Sequence, residues 1–105
     1  MIVEILSFAG CPNDVPARAT VERLLGELSL EAEIREIEVP DLEAAKRFRF
    51  LGSPTIRVDG RDVEPGADER REFTLACRLF HTEQGYHGQP DERWIRAALL
   101  EGAGR

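Results

Sequence analysis

The chain has 105 residues, room for one hydrophobic interior spanning 1–105 and too few for two. Twenty acidic against 14 basic side chains give a net charge of −6, which argues against nucleic acid and anionic membranes as partners. With 42% hydrophobic and 32% charged residues the composition is that of a folding chain, not a disordered one.

No apolar run approaches the ~18 residues of a membrane span, and Met1-Ile2-Val3-Glu4 lacks the basic start of a secretion signal, so the expected compartment is the cytoplasm. In chain order, Ile2–Phe8 is β-rich and runs into Ala9-Gly10, which predicts a mostly buried strand followed by a loop. A helix is expected to begin at Cys11, with Pro12 in its first turn and Val15, Val21, Leu24, Leu25 and Leu28 at helical intervals. Ala32–Val39 carries Ile34, Ile37 and Val39 among charges and reads as a second strand whose register is open. Asp41 is a suitable cap for a helix over Leu42–Phe48, and Gly52 is the expected left-handed residue that closes it. Thr55–Val58 and Arg61–Glu64 flank Asp59-Gly60, which supplies the two positive φ angles of a tight hairpin.

Residues 65–89 are less regular. Glu64–Glu72 reads as a solvated loop or short helix, because mixed charge runs mark exposed faces. Phe73, Leu75, Cys77 and Leu79 fit a strand face, while Phe73, Ala76, Cys77 and Phe80 fit a helix nearly as well. Gly85–Gly88 is expected to turn the chain. Pro90-Asp91-Glu92 then opens a helix with Trp94, Ile95, Ala98 and Leu99 on its apolar face, stopping at Gly102 and leaving a frayed tail to Arg105. The order β-α-β-α-β-β-α predicts an α/β fold, with a central mixed four-stranded sheet, helices on both faces and an inserted segment 65–89.

Chemistry is sought first at the two cysteines, too few for a secreted disulfide scaffold. Cys11 stands where a strand hands over to a helix, near free amides and the positive end of the helix dipole, a setting that favours an anionic, nucleophilic sulfur. The Asp14 carboxylate, three residues on, opposes that effect. The alternative is an inert small residue at a turn.

A strand, Gly10-Cys11-Pro12-Asn13-Asp14 at a helix start, and Ser53-Pro54-Thr55 opening a hairpin strand resemble the thioredoxin superfamily in its minimal glutaredoxin-like form. The order of elements agrees over residues 1–64 and 90–101. Over nearly the whole chain, Cys77-Arg78-Leu79-Phe80 and Trp94–Leu99 included, the sequence is similar to small bacterial thioredoxin-like proteins. The resemblance implies thiol–disulfide exchange at Cys11 and a cis Ser53–Pro54 bond beside it. It assigns substrate contacts to Pro12, Asn13, Ser53, Pro54 and Thr55, with no cofactor and no metal. It also implies a disulfide-containing protein or small thiol as partner. Basic groups where Lys46, Arg47 and Arg49 stand help glutaredoxins bind the glutathione carboxylates, although here they equally suit the dipole of the helix they end.

The chain departs from that family at three places. Asp14 occupies the position of the second motif cysteine, so Cys11 has no partner within the motif. Glu64–Asp68 replaces the glycine pair and acidic residues that hold glutathione. Segment 65–89 is much longer than the connection expected there, and it carries Cys77. If that segment folds back over the sheet end, Cys77 becomes a resolving thiol for Cys11, provided the two Cα atoms come within ~7 Å. Otherwise Cys77 is a buried small hydrophobe among Phe73, Leu79 and Phe80. Two rival functions remain: soft-metal or organometal capture by Cys11 and Cys77, with His81 and His87 as weaker candidates, and a non-redox interaction scaffold.

Overall fold

The β-branched run at the N-terminus forms strand β1 (Ile2–Ser7), whose alternation sends Val3 and Ile5 to one face of a sheet and Leu6 to the other. The computed structural model describes residues 1–104, so Arg105 of the expected tail lies outside the described residues. Strand β2 (Glu33–Glu38) pairs with β1 in parallel, Val3 opposite Ile34 and Leu6 opposite Ile37. Three residues apart, Ile34 and Ile37 point to opposite faces, which accounts for the imperfect alternation of this strand. Strand β3 (Thr55–Val58) lies antiparallel on the other side of β1, with Leu6 opposite Thr55, and β4 (Arg61–Asp62) completes the order β2-β1-β3-β4. The expected mixed four-stranded sheet is present.

Two helices cover one face. Helix α1 (Asp14–Glu27) presents Ala17, Val21, Leu24 and Leu25, and α3 (Glu92–Ala103) presents Ile95 and Leu99, to Val3, Ile5, Ile56, Val58 and Val63. Helix α2 (Leu42–Arg47) covers the other face with Ala44 and Ala45 beside Leu6, Val39 and Phe50. Burying such side chains is worth roughly 1.5–3 kcal/mol each before entropy is counted, and this fixes the strand faces. No helix among the described residues is long and apolar enough to cross a membrane.

Local signals in the sequence act largely as expected. Asp59 and Gly60 adopt φ 49° and 86°, the pair of positive angles a two-residue hairpin needs. The Asp41 carboxylate caps α2 by accepting from the Ala44 N–H at 2.8 Å.

Several elements differ from expectation, the edge strand β4 ending at Asp62 and not at Glu64 among them. Helix α1 begins at Asp14 and not at Cys11, because Pro12 and Asn13 form a turn, and Val15 in its first turn is 72% exposed. Arg49, at φ 56°, closes α2 in place of Gly52, with Phe50 N–H on Ala45 C=O at 2.8 Å and Arg49 N–H on Lys46 C=O at 3.2 Å. Helix α3 runs through Gly102, which lets the helix lie on β3: a Cβ there would meet Met1 Sδ at 2.8 Å and Val58 Cγ1 at 3.2 Å. Gly85–His87 is a strand, not a turn. It forms β6, paired antiparallel with β5 (Phe80–Thr82) around a turn at 83–84.

Candidate functional site

The chain leaves the sheet at the carboxyl end of β1 through a turn in which Gly10 has φ 87° and the Cys11 N–H donates to Phe8 C=O at 3.2 Å. It enters β3 at the same end, because β3 is antiparallel to β1 and its first residue faces Leu6. Cys11 and the Ser53–Pro54 bond, which is cis, therefore lie beyond the same end of adjacent strands. Cys11 is 5% exposed, Pro12 is exposed and Asn13 half-buried, while Ser53, Pro54 and Thr55 are all buried.

The inserted segment is attached to that end. The Ser53 N–H donates to Ala76 C=O and the Arg78 N–H donates to Ser53 C=O, both at 2.9 Å, a parallel bridge centred on Cys77. Farther back, the Thr74 N–H reaches Phe50 C=O at 3.0 Å. Gly52, at φ 123°, makes this crossing feasible: a Cβ there would stand 2.9 Å from Arg78 Cβ and 3.1 Å from Ala76 C=O. The far end of the insertion returns to Asn13, whose carbonyl accepts from Gln89 Nε2 at 2.8 Å, and whose amide nitrogen stands 2.7 Å from where a Gly88 Cβ would be. The insertion thus touches residues flanking the sheet end on both sides.

Cys77 is exposed, contrary to its reading as a buried hydrophobe, because the segment faces inward with the opposite parity: Arg78, Phe80 and Thr82 are buried while Cys77 and Leu79 look outward. Both cysteines are free thiols.

The anchor of the segment is a residue that sequence reasoning passed over. Arg78, 2% exposed, donates from Nη1 to Asp62 at 2.8 Å and to Thr55 Oγ1 at 3.0 Å, and from Nη2 to Glu64 at 2.7 Å. Its guanidinium also lies 4.4 Å from the Phe80 ring centre. Glu64, expected to start a solvated run, is buried and takes a second cation, Arg70, at 2.9 Å. Thr55 passes its own hydroxyl hydrogen to Gly52 C=O at 2.7 Å, tying the start of β3 to the same network. Two acidic groups two residues apart, Asp62 ending the edge strand and Glu64 just beyond it, were the available signal for a distant buried cation.

Arg47 lies over Phe48 and Arg49 over Phe73, at 5.1 and 5.0 Å, while Arg57 donates to Phe48 C=O at 2.6 Å. Burial pushes the Arg57 guanidinium below its ordinary value, and Asp62 partly opposes that. A groove of about 420 Å³ lined by Phe48, Arg57, Val63, Phe73, Trp94 and Ala98 includes neither cysteine. His81 stacks on Tyr86 at 4.7 Å, and among the described residues no group of three or more His, Cys, Asp or Glu is placed to hold a metal ion. No protein family, no curated protein and no solved structure matches this chain.

Proposed function

We propose that the protein is a thioredoxin-like thiol–disulfide oxidoreductase of the cytoplasm, with Cys11 as nucleophile, Cys77 as resolving thiol, and a disulfide-containing protein or small thiol as partner. The single observation that carries this reading is the Ser53–Cys77 bridge. Ser53 and Cys11 both lie beyond the carboxyl end of β1, so the bridge brings the chain's two thiols to one end of the sheet. The sheet order β2-β1-β3-β4, with a parallel pairing followed by two antiparallel ones and helices on both faces, supports the thioredoxin-like topology.

The chemistry runs in two displacements. The Cys11 thiolate attacks one sulfur of a substrate disulfide, forming a mixed disulfide and expelling the other sulfur as a thiolate that takes up a proton. The Cys77 thiolate then attacks the Cys11 sulfur, closing a Cys11–Cys77 disulfide and expelling the second substrate thiolate. The substrate gains two electrons and two protons, and the protein dithiol loses them. An external dithiol, or two equivalents of a small thiol, returns the protein to its reduced state. Cys77, being exposed, is reachable by that reductant.

Replacing the resolving thiol tests the assignment. Incubated with a small disulfide, the Cys77→Ser variant is expected to accumulate a mixed disulfide at Cys11, visible as a mass increase, and to lose steady-state turnover. Turnover at the parent rate in Cys77→Ser, or in Cys11→Ser, contradicts it.

A further inference from the structure

At the open end of β3 the backbone N–H and C=O of Ser53 are both engaged by the chain's own residues 76–78. The hold on this segment is narrow and polar. Ala76, Cys77 and Leu79 are exposed, leaving Arg78 and Phe80 as the inward side chains over 76–80. Two buried polar atoms at the seam, Ser53 Oγ and Arg78 Nε, have no hydrogen-bond partner among the described protein residues. A segment with few buried apolar contacts and imperfectly satisfied polar groups opens before the rest of the fold. The insertion also reaches the other flank of Cys11, through Gln89 and Gly88 on Asn13. Cys11, two residues before Asn13 and beyond the same sheet end as Ser53, is 5% exposed.

We infer that residues 76–78, latched by Arg78 on Asp62 and Glu64, are a removable cover that regulates access to Cys11. An outside disulfide reaches the Cys11 sulfur when the segment unpairs from Ser53. The same opening frees the Ser53 N–H and C=O to pair with an extended stretch of the incoming partner, so the cover stands in for that partner while it is absent. The inference rests on the proposed function in taking Cys11 as the reactive thiol. It adds that the closed arrangement is the resting, unreactive one.

The test uses the full chain carrying Cys77→Ser, so that Cys11 is the single thiol, and compares iodoacetamide alkylation of Cys11 with hydrogen exchange of the Ser53 and Arg78 amides. Alkylation slower than that of a short cysteine peptide by about tenfold or more is expected. The slowing should match the protection of the Ser53 and Arg78 amides within about threefold, and fall well below that of the Ile5 and Ile56 amides in the sheet. Adding Arg78→Gln should raise the alkylation rate about tenfold or more while the far-ultraviolet helical signal persists. If that double variant unfolds, the comparison of alkylation with exchange in Cys77→Ser decides alone. Alkylation at the free-peptide rate, protection of Cys11 equal to that of Ile5 and Ile56, or no change on adding Arg78→Gln to a folded protein overturns the inference. Iodoacetamide reads access and not exchange chemistry. A latched Cys11 that never forms a mixed disulfide would therefore refute the proposed function while leaving the cover intact.

Discussion

Replacing Arg78 by Met keeps most of the side chain's volume and removes its charge, leaving Asp62 and Glu64 facing a seam where their side chains are 12% and 10% exposed. Breaking a buried ion pair by removing one partner costs about 3–5 kcal/mol, because the stranded charge stays desolvated. Two contacts moderate that figure: Glu64 keeps Arg70 at 2.9 Å, and Asp62 keeps the Glu64 N–H at 2.9 Å. The loss of the 4.4 Å contact with Phe80 acts the other way. The low end, about 3 kcal/mol, is the expected loss. In a domain of this size it corresponds to a fall in Tm of roughly 12–24 °C. Urea unfolding followed by Trp94, the single tryptophan, whose ring lies 6.4 Å from that of Phe80, reports it directly. The triple variant Arg78→Met, Asp62→Asn, Glu64→Gln should regain part of the stability, since amides leave no stranded charge. A Met variant within about 0.5 kcal/mol of the parent, the range of an ordinary surface substitution, would refute the assignment of Arg78 as the anchor of the insertion.

Gly52→Ala combines a positive φ of 123° with a Cβ at 2.9 Å from Arg78, and should cost about 2 kcal/mol and speed Cys11 alkylation; an unchanged urea midpoint would contradict this. Asp41→Ala removes the carboxylate that caps α2 and should lower stability by about 1 kcal/mol in the same assay. Asp91 caps α3, and hydrogen bonds from the Arg93 side chain and N–H hold its carboxyl below the ordinary range. The folded chain therefore releases this proton more readily than the unfolded chain. The contribution is present above the unfolded value of ~3.9 and is lost as pH falls through the lower folded value. Asp91→Ala should accordingly destabilise at pH 7 and approach the parent as the solution is acidified below pH ~4, and a difference that stays constant with pH would contradict the cap's ionisation.

Where local chemistry decides the conformation, the chain could be read directly. Asp59-Gly60 had to turn because its φ angles demand it, and Asp41 had to cap because its side chain competes with a further helical turn. The alternation of β1 and the apolar faces of α1 and α3 follow from burial alone. The start of α1 was misjudged because Pro12 suits a turn as well as a first helical position, and the order Pro12-Asn13 does not distinguish them. The end of α2 was misjudged because glycine is the commonest left-handed residue, whereas Arg49 takes that role and Gly52 is reserved for the close crossing of Arg78.

The insertion could not be read because its facing is set by long-range charge. Hydrophobicity favours turning Phe73, Leu75, Cys77 and Leu79 inward, but the carboxylates of Asp62 and Glu64, more than a dozen residues away, draw Arg78 in and reverse the parity. With Arg78 inside, Cys77 must face solvent. The candidate site was therefore half legible: Cys11 from its place where a strand hands over to a helix, the Ser53–Pro54 segment as the resemblance implied it, Cys77 as a candidate thiol, but neither the anchor that positions it nor the occupation of Ser53 by the chain itself.

The proposed mechanism requires Cys11 and Cys77 to act as a pair. Mild oxidation of the purified protein, blocking of remaining thiols and mapping of both residues by mass spectrometry tests it most directly. An intramolecular Cys11–Cys77 disulfide, formed at a rate independent of protein concentration, is expected. Cys77 oxidised to intermolecular or mixed disulfides while Cys11 stays reduced would contradict it.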